Sequence, residues 1–558
     1  MLTVTHALKK DRLSKDVEDA SFLLSNRVGG YVYLGTTLKS KHQGFFFNDN
    51  FMMYKAIEDI RLDGKITKIT NRFSSVIRER DNKSTEEFIL PFGYSSFIYE
   101  LKRYNGNIHI DLDCRSFNDN DDWGRFYNIV LDKNQAVISY EKQGNYWVYV
   151  VITGKNLNAE KIREWRKVSY QIDQQKGEEH ERSVYNALRL KISSDTRLVI
   201  SASTDKDKAI KEGDYVFRNI NKLKRKQDNA MLFKGTIKNK DQRMAYNAAL
   251  NSLNSMLAEV NGKLGILSGF PSHSQFWSRD EMVAIKALGK RKEASDIFAR
   301  TLRCLQDDGR LPNRIPSTVE GNADSIGWFY IRYGKKDVLE NVINSLSSSH
   351  LKDGLLIAGK KETWMSMIDR EGARIELQAM LLKMYSMLGN KKAELELKDK
   401  IKEKFWNRKY LNDGANDDTV RPNAILAYYI YPEMLTKDEW LKCFTNIMPR
   451  LWCSWGGIST LDKKSEKFHP TTSGMKSYYN GDSHFFLNNI TAIVLKDIDR
   501  KMFKDKIAKI VDASTEDILW NGILGHHSEA SSAKELNAQY GLAKSMAAAT
   551  YIEMINNL

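Results

Sequence analysis

The chain has 558 residues, of which 42% are hydrophobic and 11% aromatic, and a formal net charge of +15. That length exceeds one ordinary core and sets an expectation of two domains, while the apolar share excludes a disordered chain. No run of about 18 apolar residues occurs, so no membrane span is expected.

The positive charge does not read as a nucleic-acid surface. Lysines are interleaved with acids, as in KKAELELKDKIKEK, and the one dense run, Lys222 to Lys226, lies near a domain junction. No nucleic-acid partner is expected. Cys114, Cys304, Cys443 and Cys453 are far apart and form no CxxC pair, and MLTVTHALKKDRLSKD lacks the apolar stretch of a secretory signal. The expectation is free thiols in a reducing cytoplasm.

In chain order, residues from about 20 to 230 read as β. GGYVYLG, IHIDLDCRSF, FYNIVLD, AVISYE, YWVYVVITG and Arg197 to Ala202 alternate or run apolar, rich in β-branched and aromatic residues, between polar turns. This predicts an antiparallel β-sandwich over 1–230. The paired glycines of SNRVGGY allow positive φ or close backbone approach. From about 235 the apolar spacing changes to near 3.6. Twelve helices are predicted, near 241–260, 278–289, 291–306, 323–333, 335–348, 372–389, 391–406, 422–431, 436–448, 482–495, 499–520 and 538–556. Short and long connections alternate, which suits six helical hairpins closed into an (α/α)6 barrel over 235–558. A solenoid is the alternative, but no fixed sequence repeat supports it.

Each long loop follows an odd-numbered helix in this count, so their polar residues gather at one end. GFPSHSQFWSRD brings Trp277, Arg279 and Asp280 together: a flat ring face, a donor and an acceptor for sugar hydroxyls, or else an ion pair capping the next helix. NADSIGWF sets Asp324 four residues before Trp328, on one helical face. KETWMSMIDREG presents Glu362, Trp364, Ser366 and Asp369. Arg421 stands in VRPN, Asp482 in YYNGDSHF and Glu529 in GHHSEA. The spacing of His526, His527 and Glu529 is not that of HExxH, and no third ligand is evident, so no metal is expected. No GxGxxG, Walker loop or GxSxG elbow appears, and no cofactor is expected.

Seven segments in order, FLLSNRVGGY, FWSRDEMVAIKAL, GRLPNRIP with NADSIGWF, ETWMS with RIELQAM, VRPNAILA, YYNGDSHFF and GHHSEASSA, resemble the glycogen-debranching (amylo-α-1,6-glucosidase) family, which is related to the glucoamylase-like glycosidases. The resemblance covers nearly the whole chain. It implies a β-sandwich followed by an (α/α)6 barrel, an α-glucan substrate and inverting hydrolysis of an α-glucosidic bond. It implies that Glu529 matches the catalytic base, that Arg279 and Asp280 match the pair holding the terminal glucose, and that Trp364 matches the aromatic beside the acid. The family motif usually reads Thr-Trp-Met-Asp, its Asp being the proton donor. Here Thr363-Trp364-Met365 is followed by Ser366, whose hydroxyl is too weak an acid for that role. Three readings stay open: Glu362 or Asp369 supplies the proton, the chain turns over slowly, or it binds glucan without cleaving it.

Overall fold

The computed structural model describes residues 1–316, 321–472 and 474–558. They form two compact units, Met1–Gly265 with Leu519–Gly525, and Ile266–Ile518 with His526–Leu558. The junction expected near 230–235 lies inside the first unit, which also contains helix α1 (Lys240–Met256), capped by the side chain of Asn239.

The first unit is built on a ten-stranded and a seven-stranded sheet. The alternating sequence of Gln135–Lys142 turns Ala136, Ile138 and Tyr140 inward and leaves Gln135, Val137 and Ser139 half-buried on the other face. Its neighbour Tyr146–Gly154 pairs with it antiparallel and adds Val148, Val150 and Ile152 to the same core. From the seven-stranded sheet come Phe22, Val32, Phe45, Ile110 and Leu188. Phe45 meets Phe97 of the larger sheet edge-on, with ring centroids 5.1 Å apart, so one apolar layer serves both sheets.

Three features of this unit depart from the sequence reading. Strands begin before residue 20, at Leu2–Leu8 and Asp11–Val17. The second is a mostly exposed edge strand whose charged composition resembles a turn. Leu2–Leu8 also pairs parallel with Ile66–Asn71, so the sheet is not wholly antiparallel. Finally, Lys206–Arg218 and Ile220–Asn229 are helices, and their Val216, Ile220 and Leu223 pack on Ile89, Ile98 and Val199 of the larger sheet. Lys224, from the dense basic run, pairs with Glu87 at 2.9 Å and Glu100 at 3.3 Å. In the SNRVGG turn, Asn26 Oδ1 accepts from the amides of Val28 and Gly30 at 3.0 and 2.8 Å. Gly29 has φ +89°, and a Cβ on Gly30 would stand 2.8 Å from the Phe46 carbonyl, so this turn uses both properties of its glycine pair.

The second unit contains α2 (Ser278–Ala284, continued as a 3₁₀ turn to Leu288), α3 (Lys292–Leu302), α4 (Ser325–Tyr333), α5 (Leu339–Ser349), α6 (Ile375–Leu388), α7 (Lys391–Lys404), α8 (Asn423–Ile430), α9 (Lys437–Leu451), α10 (Phe485–Asp499), α11 (Lys504–Trp520) and α12 (Ser545–Asn557). The last residues of α11 run into the first unit. Helices α2, α4, α6, α8, α10 and α12 pack in that order, each on the next, and α12 returns to α2. Their sequences explain why they form this inner ring. IELQAMLLKMYSML and FFLNNITAIVLKDID are apolar on nearly every side and buried along most of their length. The alternate helices have one apolar stripe; α7, KKAELELKDKIKEK, buries Leu397 and Ile401 and exposes most of its charges.

Candidate active site

Residues singled out from the sequence stand where the chain enters the ring helices. Trp277 immediately precedes α2, Asp324 precedes α4, Arg421 lies just before α8, and Asp482 lies just before α10. The positive ends of these helices favour carboxylates nearby. Two-residue strand pairs tie the loops to one another. Phe276–Trp277 pairs with Arg314–Ile315, Gly269–Phe270 with Ala543–Lys544, and Ser483–His484 with Ala530–Ser531. The third pairing places Glu529 against the start of α10, where its carbonyl accepts from the Phe485 amide at 3.0 Å.

These loops enclose a cavity of about 160 Å³. Trp277, Arg279, Asp280, Trp364, Ser366 and Glu529 all line it. Glu529 is buried; its Oε1 accepts from Tyr478 Oη at 2.7 Å and its Oε2 from the Gly541 amide at 3.1 Å. Lys544 Nζ lies 3.3 Å from Glu529 Oε1 and 3.0 Å from Asp280 Oδ2. Burial opposes ionisation of Glu529, but Lys544, His273, His484 and the Tyr478 hydroxyl together outweigh it and hold its carboxyl well below the usual range. The result is a desolvated carboxylate. Asp280 Oδ2 also accepts from Ser268 Oγ. Arg279 Nε donates to Asp324 Oδ2 at 2.7 Å, while its buried Nη2 has no hydrogen-bond partner among the described residues.

Trp364 is positioned from behind. Its Nε1 donates to Asn423 Oδ1 at 2.7 Å, Tyr479 Oη donates to its carbonyl at 2.6 Å, and Tyr479, His484 and Phe486 meet its ring edge-on at 5.3–5.5 Å. Below the same loop, buried Arg370 bonds Thr363 Oγ1, both oxygens of Glu376 and both of Asp413. Asp413 in turn accepts from Asn423 at 2.6 Å. The loop that presents Trp364 and Ser366 is therefore anchored by a buried ionic network.

The other residues chosen from the sequence do not line the cavity. Asp324 is buried behind Arg279. Trp328 is in the helical core, with the Arg332 guanidinium 5.4 Å from its ring centre. Arg421 donates to the carbonyls of Thr460 and Tyr479 at 2.9 and 2.6 Å; its burial lowers its pKa to about 10. Asp482 accepts from Tyr540, Ser477 and Thr472. Of the two acids considered beside Ser366, Glu362 is paired with Arg310 at 2.8 Å and accepts from the Gly359 amide at 2.7 Å. Asp369 is exposed, 3.7 Å from Lys360.

Sequence reasoning missed Lys544, the cation that joins the two cavity carboxylates, along with His273, Tyr479 and His484. A lysine before an apolar helix has no distinguishing spacing. The signal within reach was the YYNGDSHF segment itself, which supplies Tyr478, Tyr479 and His484. His527 packs on Phe485 and bonds buried Asp517 at 2.7 Å, an internal support for the loop. Among the described residues, the grouping with metal-ligand geometry is His42, Asp173 and Glu178 in the first unit. Lys41 pairs with Glu178 there, and Lys41, Lys55 and Arg182 all bear on His42, an environment hostile to a cation.

Residues 335–516 match the family model described as amylo-alpha-1,6-glucosidase. No curated protein matches the chain. Among solved structures, a bacterial glucoamylase complexed with acarbose aligns with 97% of this chain and 95% of its own, at 11% identity and a TM-score of 0.65. A GH63 mannosylglycerate hydrolase from Thermus thermophilus, in complex with glucose, aligns with 56% of this chain and 100% of its own at 9% identity and a TM-score of 0.43. The amylo-alpha-1,6-glucosidase model thus matches the stretch 335–516, and the fold is similar to that of a bacterial glucoamylase across 97% of the chain.

Proposed function

We propose that the chain is an inverting glycoside hydrolase acting on the α-1,6-linked glucose of glycogen-like branched α-glucan, with a six-hairpin barrel as its catalytic domain. The observation that carries this reading is the convergence of Trp277, Arg279, Asp280, Trp364, Ser366 and Glu529 on one cavity. The family match over residues 335–516 supports the linkage. The closed sequence of ring helices supports the barrel. Trp277 and Trp364 supply ring faces, and Arg279 and Asp280 supply a donor and an acceptor for sugar hydroxyls. Glu529, ionised, takes the proton of the attacking water as its oxygen bonds C1. Inversion also calls for an acid on the opposite side, about 6.5–9.5 Å from the base. Ser366 occupies that motif position and contributes only a neutral hydroxyl, so turnover of an ordinary glucoside is slowed by about 10²–10⁴-fold.

A second reading, a glucan-binding chain without turnover, is favoured by Ser366 alone. Glucose release from a branched limit dextrin separates the two. The hydrolase reading predicts slow release by the native chain, release accelerated in Ser366→Asp and none in Glu529→Gln. No glucose from the native chain, with glucan still bound, and glucose from Ser366→Asp favours the second reading; an inert Ser366→Asp that still binds glucan overturns the assignment of residue 366 to the acid position.

A further inference from the structure

The cavity holds a base without a matching acid. Among the described residues lining it, the carboxyls are Asp280 and Glu529. Both are bonded to the same Lys544 Nζ, so their nearer oxygens are no farther apart than the 3.0 and 3.3 Å legs together allow. The two carboxyls are thus bridged by a single cation, an arrangement unlike an acid and a base set apart on opposite faces of the sugar. The neighbouring acids are committed elsewhere: Glu362 to Arg310 and the Gly359 amide, Glu376 and Asp413 to Arg370, and Asp369 to the exposed surface beside Lys360. The side chain offered at the Trp364 loop is the hydroxyl of Ser366, with the exposed Met367 next to it.

We infer that the site is matched to α-glycosides of acidic leaving groups, donors such as a glycosyl fluoride, phosphate or acyl ester whose leaving group departs as a stable anion without receiving a proton. This rests on the reading of Glu529 as the base. In the step, a water oxygen bonds C1 as Glu529 takes one of its protons. The bond from C1 to the leaving group breaks, and its electron pair departs on the anion. The products are the sugar with inverted anomeric configuration, the anion, and a protonated Glu529 that returns its proton to solvent. No proton donor at residue 366 enters the balance. A small uncharged hydroxyl there leaves the departing anion unopposed, where a second carboxylate would repel it.

The test compares α-glucosyl fluoride, 4-nitrophenyl and phenyl α-glucosides, and isomaltose, first with the native chain. The expected result is a steep rise of kcat/KM with leaving-group acidity, with the fluoride exceeding isomaltose by about 10²–10⁴-fold, the margin that general acid catalysis otherwise supplies. In Ser366→Asp that ratio collapses because isomaltose turnover rises. Isomaltose cleaved as fast as the fluoride by the native chain overturns the inference and leaves the hydrolase reading intact. Failure of every donor with both proteins overturns the two together. Binding of glucose, followed calorimetrically, shows in each protein whether the cavity is formed.

Discussion

Lys544 and Ser366 decide what the cavity can do. Lys544 is the cation that joins Asp280 to Glu529, and it is the foremost of the groups that keep Glu529 ionised against burial. Replacing it by Met removes that stabilisation, so the pKa of Glu529 rises. Because the base acts as a carboxylate, activity falls as pH drops through that pKa. Lys544→Met is therefore expected to move the acid limb of the kcat/KM profile for α-glucosyl fluoride to higher pH; an unmoved limb would show that Glu529 is not the group titrating. The same change leaves two buried carboxylates unpaired and costs about 3–5 kcal/mol of stability, measurable by urea unfolding. Neither consequence is visible in the one-dimensional pattern. Trp277, Arg279, Asp280 and Glu529 were legible because each sits in a motif of several unusual residues. Asp324, Arg421 and Asp482 sit in similar motifs, yet turn away from the cavity to hold a neighbour. Spacing along the chain does not tell a polar group that faces a ligand from one that faces the loop beside it.

Among the elements, the loop from Thr363 to Ser366 owes its place to Arg370. That guanidinium satisfies Glu376 and Asp413 in a buried setting, and Asp413 passes the constraint through Asn423 to the Trp364 indole. Arg370→Met leaves buried Glu376 without its partner and Asp413 with only the 3.3 Å pair to Arg374, and a loss of about 3–5 kcal/mol is expected. A loss below about 1 kcal/mol would place the pair in the class of exposed salt bridges and contradict the burial described. The loop carrying Gly541 constrains Glu529 in another way. A Cβ at Gly541 would lie 3.1 Å from Glu529 Oε2, closer than ordinary contact, so Gly541→Ala is expected to push the carboxylate aside. Its signature is a reduced kcat for α-glucosyl fluoride with thermal stability near that of the native chain. Unchanged kcat would show that Glu529 is free to adjust. The helices themselves were readable from the 3.6 period because each buries an apolar stripe or is apolar all round. Asp11–Val17 was not, because a polar edge strand has no buried face to impose alternation.

At the scale of the molecule, stability should fall with acidification in two stages. His6 is buried, with Nε2 2.7 Å from the Leu519 carbonyl, and burial lowers its pKa to about 4; burial likewise lowers those of His42, His273 and His484. A histidine with a lowered folded pKa contributes stability above its unfolded value near 6.5 and loses it as pH falls toward the folded value. Asp113 and Glu529 have folded pKa values below their unfolded ones, so their contribution is lost from about pH 4.5 downward. The melting temperature is thus expected to decline between pH 6.5 and 5, before the carboxylates titrate, and the early decline should shrink in His6→Gln. A melting temperature flat to pH 5 would contradict it. The division into a sheet unit and a helical unit was legible from the change of period. That α1 belongs with the sheets was not, since a helix carries no local sign of the unit it joins. The most direct test of the catalytic account is ¹H NMR of the glucose first released from branched limit dextrin by Ser366→Asp. β-Glucose, absent when Glu529→Gln is added, is the predicted result; α-glucose, or no glucose from a folded protein that binds glucan, would contradict it.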